Sequence, residues 1–167
     1  MNFISLCRRT VLRRLLICLL ILAITPASDA YADCFAQAGK KYAIDPLLLQ
    51  AIAQVESSMN PRALNRNRNG SEDLGLMQIN SSHLVRLGKD GITRQQLLDD
   101  ACLSVMVGAG ILSEFIGQFG YTWRAVGAYN AGGGAGRDVL RERYAGKVIR
   151  EYRRLSARPA LIAPEKM

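Results

Sequence analysis

Histidine is almost absent from this chain: His83 is the only one in 167 residues, with no HExxH string and no Cys/His spacing around it. Zinc-dependent and Ser/His/Asp chemistries therefore lack their parts, no metal site is assigned, and His83 reads as structural. Internal repeats are missing as well, and so is nearly all of the apolar-polar alternation that marks half-buried strands. The run Gly132-Gly133-Gly134-Ala135-Gly136 has a superficial dinucleotide-binding spacing, but it follows a helical segment with no strand ahead of it. The phosphate-cradling turn is not there, and no cofactor is expected.

What the N-terminus does have is an export pattern. Arg8, Arg9, Arg13 and Arg14 precede an apolar run from Leu15 to Ile24, then Pro26 and the small-x-small ending Ala30-Tyr31-Ala32. That order reads as a signal peptide over residues 1–32 cleaved after Ala32, which places the product in the periplasm. The alternative, an uncleaved anchor, needs about 20 apolar residues to cross about 30 Å of hydrocarbon, and this run is shorter. No stable membrane anchor is expected after cleavage. A lipid-anchored Cys34 is disfavoured because Asp33, not a small residue, precedes it.

Cys7 and Cys18 leave with the signal, so Cys34 and Cys102 remain as a pair in an oxidising compartment. A single disulfide between them is the economical reading, two separate thiols the alternative. In the entropic account such a bridge stabilises by about 4 kcal/mol. The precursor carries a net charge of +8; four arginines and Asp29 take +3 with them, leaving +5. A moderately basic exported domain suits anionic wall polymers or lipid. Nucleic acid is not an expected partner, because Arg141, Arg143, Arg150, Arg153 and Arg154 are spread along a helix with no base-reading motif.

The remaining chain is one domain, residues 33–155, with a flexible tail at 156–167. It reads as mostly α. Helices are expected over Cys34 to Tyr42, from Pro46 to about Asn60, over His83 to Leu87, and from Thr93 through Asp99. Three more follow, over Ala101 to Phe119, Trp123 to Tyr129 and Asp138 to Arg154. Asp45 caps the second helix with Pro46 at its first position, and Gln96 completes a capping box with Thr93. Asn60 to Asp73 reads as a long polar loop, and Leu74 to Ile79 as a short strand-like or irregular segment.

Leu48, Ile52, Val55, Glu56 and Met59 recur at the three-and-four spacing of one helix face. A carboxylate on an apolar face costs free energy when charged, so its pKa should rise and it becomes a candidate proton donor. A structural carboxylate satisfied by a cap or an ion pair is the competing reading.

Glu56-Ser57, Gly75-Leu76-Met77-Gln78-Ile79-Asn80 and Ala128-Tyr129-Asn130-Ala131-Gly132 resemble, in order and separation, the signature motifs of the soluble lytic transglycosylase family, whose domain is goose-lysozyme-like. Tyr144 with Lys147-Val148 resembles the closing motif. The paired cysteines, the Asn-rich loop and Met77 through Ser82 look like the small members that accompany secretion or conjugation machines. The glycine-rich run after Gly132 departs from the family pattern and leaves the adjoining cleft wall open.

The resemblance implies a lysozyme-like fold and cleavage of the bond between N-acetylmuramic acid and N-acetylglucosamine in peptidoglycan. The product is 1,6-anhydro, with Glu56 acting as general acid and then base. Peptidoglycan is the implied substrate, and a type III or type IV secretion, pilus or conjugation apparatus the implied partner. Met77, Gln78, Asn80, Tyr129, Asn130 and Tyr144 are the expected substrate-side residues: Met77 as an apolar wall, the amides for N-acetyl and hydroxyl groups, Tyr144 beside the acid. Asn80 reads alternatively as a turn residue, Tyr129 and Asn130 as a helix end, and Tyr144 as a packing residue. Ser57 reads as structural though it belongs to the motif. Asp73, just before Gly75, keeps a water-using muramidase open if it reaches the cleft, since ordinary glycosidases use a second carboxylate about 5 to 9.5 Å away. A non-catalytic wall-binding protein is the rival from another class.

Overall fold

The computed structural model describes residues 27–157. The chain divides into two units, Met1–Ala32 and Asp33–Met167, and the site lies wholly in the second. Most of the expected signal peptide, with Cys7 and Cys18, and most of the expected tail lie outside the described residues.

The domain is mostly helical, as expected. Helix α1 runs Ala27–Tyr42, beginning ahead of the expected Cys34, and α2 runs Pro46–Ser57. The Asp45 carboxylate caps α2 by accepting from the Leu47 N–H at 2.8 Å, and Pro46 fills the first helical position, where no N–H is needed. The helix ends sooner than Pro61 requires, because Ser58 and Met59 adopt left-handed backbone, φ 53° and 65°. Leu48, Leu49, Ala51, Ile52 and Ala53 are its buried residues. A side chain the size of Leu49 or Ile52 contributes about 1.5–3 kcal/mol by leaving water.

The expected polar loop holds more order than its composition suggested. Strands β1 (Leu64–Arg66), β2 (Glu72–Leu74) and β3 (Ile79–Asn80) form an antiparallel sheet in that order. Leu64 faces Leu74 and Asn65 faces Asp73 across one ladder; Asp73 faces Asn80 across the other. Such short strands, with β1 exposed throughout, carry no alternation to read. Within the sheet, the Glu72 carboxylate is held by Arg94 at 2.7 Å and Arg66 at 3.4 Å.

Beyond the sheet, Asn80 caps a 3₁₀ turn, Ser81–His83, that leads into α3 (Leu84–Leu87). Helix α4 (Arg94–Asp99) carries the expected Thr93/Gln96 capping box. Helix α5 (Ala101–Phe119) matches its expected bounds and packs against α4, β3, α2 and α6 (Trp123–Ala131). Helix α6 continues past Tyr129 to Ala131, where the Gly132 N–H closes on the Ala128 carbonyl at 2.7 Å. Helix α7 (Asp138–Ser156) packs on α6 and α2. Cys34 on α1 is bonded to Cys102 on α5 across 68 residues, so the two thiols are not separate.

Candidate active site

The site is assembled from three stretches of chain that meet around the turn between β2 and β3. Gly75 has φ +71°, and a Cβ there would stand 2.1 Å from the Leu97 carbonyl oxygen, so only glycine fits. Ser57, at the end of α2, donates to the Leu76 carbonyl at 2.7 Å, and Tyr129 on α6 donates to the Met77 carbonyl at 2.8 Å. From α5, Ser104 Oγ accepts from the Met77 N–H at 3.1 Å. The backbone polar groups of this turn are thus met from three helices.

Glu56, half-buried near the end of α2, faces this turn. The Tyr144 hydroxyl on α7 donates to its Oε1 at 2.5 Å. Burial, the strongest influence, pushes the Glu56 carboxyl up to about 7 against the opposing hydrogen bond from Tyr144; the charge of Asp73 raises it further and that of Lys147 lowers it. Tyr144 itself, buried beside that carboxyl, is held well above the usual phenol range and remains a donor.

Glu56, Asp73, Gln78, Asn80, Tyr129 and Asn130 line one cavity of about 370 Å³. Asp73 therefore reaches the cleft. Its two oxygens accept from Asn67 at 2.9 Å and Asn80 at 2.7 Å. The Asn80 amide also donates to Ser71 Oγ, and its oxygen caps Ser82, so its hydrogen bonds are spent on structure while one edge faces the cavity. Gln78, at φ 49°, turns its amide N–H groups to the Ala63 and Gly75 carbonyls, leaving its oxygen as the group to offer. The Asn130 side chain has no hydrogen-bond partner within the described residues and is exposed, so its amide is available to a ligand.

One expectation changes. Met77 does not wall the cleft: its side chain is fully buried against Gly108 of α5, where an added Cβ would lie 2.9 Å from both Met77 and the Tyr129 hydroxyl. Its place in the motif is explained by its backbone and packing. Ser57 is a tether, its hydroxyl shared between the Leu76 and Ala53 carbonyls. His83, read as structural, lines the cavity; burial and the nearby Arg86 charge hold its pKa below the usual imidazole value, so it is neutral near pH 7. Ile111, Phe115, Asn67 and Arg137 also line it and were not anticipated. Ile111 and Phe115 stand four apart on α5, a helical spacing that could have flagged a shared face. Among the described residues no group of three or more His, Cys, Asp or Glu side chains gathers at a common point.

Residues 33–151 match the family model described as Transglycosylase SLT domain. The chain belongs to that family. The family model supports the transglycosylase-type enzyme that the motif strings imply. The chain is 51% identical over 142 residues to the invasion protein IagB of Salmonella typhimurium, covering 85% of this chain and 89% of that protein. It is 45% identical over 126 residues to the protein IpgF of Shigella flexneri, covering 75% and 83%. In fold this SLT domain is similar to the lytic transglycosylase Slt of Pseudomonas aeruginosa, solved as an inactive mutant, with TM-score 0.59 and 23% identity. That match covers 75% of this chain but 24% of the larger protein, so the chain spans about a quarter of its length.

Proposed function

We propose that this SLT-domain protein cleaves the β-1,4 bond between N-acetylmuramic acid and N-acetylglucosamine in peptidoglycan, leaving a 1,6-anhydro muramic end. The observation that carries the reading is the pairing of Glu56, raised to about 7, with the Tyr144 hydroxyl at the head of a polar cleft. With Oε1 engaged by Tyr144, Oε2 carries the proton. It passes that proton to the glycosidic oxygen as the bond from the muramic C1 to that oxygen breaks. The muramic 6-hydroxyl then attacks C1, and the Glu56 carboxylate takes the hydroxyl's proton, restoring the acid. A pKa near 7 suits a group that must both give and accept a proton near neutrality.

A hydrolytic muramidase is the second reading, favoured by one observation: Asp73 lines the same cleft. Its oxygens are occupied by Asn67 and Asn80, which fits a fixed charge facing Glu56 better than a nucleophile. Mass spectrometry of sacculi digested with the purified protein separates the two. Anhydro ends support transglycosylation; reducing muramic ends alone would establish hydrolysis, and Glu56→Gln cleaving as fast as wild type would remove Glu56 from the chemistry.

The setting belongs to the same proposal. The Arg-rich start and apolar run before Ala32 support export to the periplasm. The printed name of the IagB relative, an invasion protein, supports a role in opening the wall locally for a secretion or conjugation apparatus.

A further inference from the structure

Glu56 stands where two cavities meet, each of about 370 Å³, and the two differ in chemistry. The first presents the amides of Gln78, Asn80 and Asn130 with the carboxylate of Asp73. The second, on the α7 side, shares Glu56, Asn130, Ala131 and Arg137 with the first and adds Arg143 and Lys147, with Glu56 the only acid on its wall. Leu140 and Val55 supply its apolar lining.

Arg143 and Lys147 are four residues apart on α7, hence on one face, and both are exposed. Neither makes an ion pair within the described residues. On the same helix Arg141 is paired with Asp138 and Arg154 with Glu151, while Arg150 and Arg153, which also make no ion pair within the described residues, line neither cavity. Lys147 also opposes the raised pKa of Glu56, so its position works against the proton donor it adjoins. A pair of cations without ion partners, on the wall of a cavity that Glu56 also lines, calls for an anion that arrives with the substrate.

We propose that the cavity lined by Arg137, Arg143 and Lys147 is a subsite for a carboxylate carried on the lactyl arm of the muramic residue being cleaved. The inference rests on the lytic transglycosylase reading. Two sources share that chemistry: the carboxylates of a stem peptide attached to the arm, and the arm's own carboxylate where the peptide has been removed. The amide-lined cavity then takes neutral sugar on the other side of the bond. The enzyme thus distinguishes muramic from plain N-acetylglucosamine units by charge as well as shape.

The test measures binding rather than turnover, using full-length Glu56→Gln protein with and without Arg143→Gln and Lys147→Gln. Three soluble glycans are titrated: peptide-bearing strands, amidase-treated strands with free lactyl carboxylates, and amidase-treated strands whose lactyl carboxylates have been converted to amides. Loss of two exposed charge pairs should weaken binding roughly tenfold. A loss on the first glycan alone assigns the peptide carboxylates; a loss on the second alone assigns the lactyl group; a loss on both assigns either carboxylate. The amidated glycan should bind both proteins equally, and the charge-preserving Arg143→Lys with Lys147→Arg should restore most of the affinity. Equal affinities on every glycan, or the same loss on the amidated one, overturn the subsite. Anhydro product from wild type is read separately, and its absence would overturn the reaction without touching the binding comparison.

Discussion

The Tyr144 hydroxyl and Glu56 Oε1 lie 2.5 Å apart although 88 residues of chain separate them, and this one bond opposes the burial that raises the Glu56 pKa. Replacing Tyr144 with Phe removes a donor to the carboxylate, so the Glu56 pKa should climb above about 7. The basic limb of kcat/KM should move to higher pH, while kcat falls about tenfold because the acid is no longer oriented and its conjugate base is left unsupported. A pH-rate profile of Tyr144→Phe showing an unmoved limb would sever the link between the two residues.

The raised pKa is also a statement about stability. A folded-state value of about 7 against the 4.5 of an ordinary glutamate means the fold prefers neutral Glu56, a preference fully expressed below about pH 4.5 and lost as pH rises through about 7. The difference corresponds to about 3 kcal/mol at alkaline pH. Glu56→Gln should therefore match wild type in denaturant at pH 4 and be more stable by roughly 2 to 3 kcal/mol at pH 8. Equal stabilities at pH 8 would show that the carboxylate is better solvated than its surroundings suggest.

Asp73 raises Glu56 through its charge, so Asp73→Asn should move the basic limb of activity to lower pH. Anhydro ends should persist among the products at a reduced rate. A switch to reducing ends, or their loss from a wild-type digest that had contained them, would give Asp73 a chemical role.

Helices α2 and α4 were legible because their start signals are local, Asp45 with Pro46 and Thr93 with Gln96, and α5 because of its long apolar run. The candidate acid was legible for the same reason, being a charge out of place in a periodic pattern. What could not be read was anything set by partners distant in sequence. The sheet hidden in the Asn-rich loop is made by pairings of two or three residues. Met77 looked like a cleft wall because nothing in its own motif announces that Gly108, 31 positions on, leaves room for its side chain. Arg143 read as one of several arginines spread along a helix and Lys147 as part of the closing motif, and only their position beside Glu56 sets them apart.

That fit makes Gly108 a sensitive position. Gly108→Ala would place a methyl 2.9 Å from Met77 and from the Tyr129 hydroxyl, forcing both to move. A loss of about 1–3 kcal/mol in urea denaturation is expected, with activity reduced through the displaced Tyr129. An unchanged midpoint would show that the contact relaxes freely.

Removing the bridge by Cys34→Ser with Cys102→Ser should cost up to about 4 kcal/mol, measured as a lower denaturation midpoint under oxidising conditions, with the Glu56 pH profile unchanged. The bridge joins α1 to α5, and neither cysteine lines either cavity beside Glu56.

The turn that carries Leu76 and Met77 receives one hydroxyl from the segment holding Glu56 and another from the segment holding Asn130. The three strings are therefore one object in space, and their grammar is collective. A chimera importing only the Ala128–Gly132 stretch from a distant relative would have to present a donor at the Met77 carbonyl. One importing only the turn would have to meet both hydroxyls at once. Such grafts should succeed when the strings travel as a set and fail when they travel singly, which makes the set, more than any one residue, the heritable unit of this site.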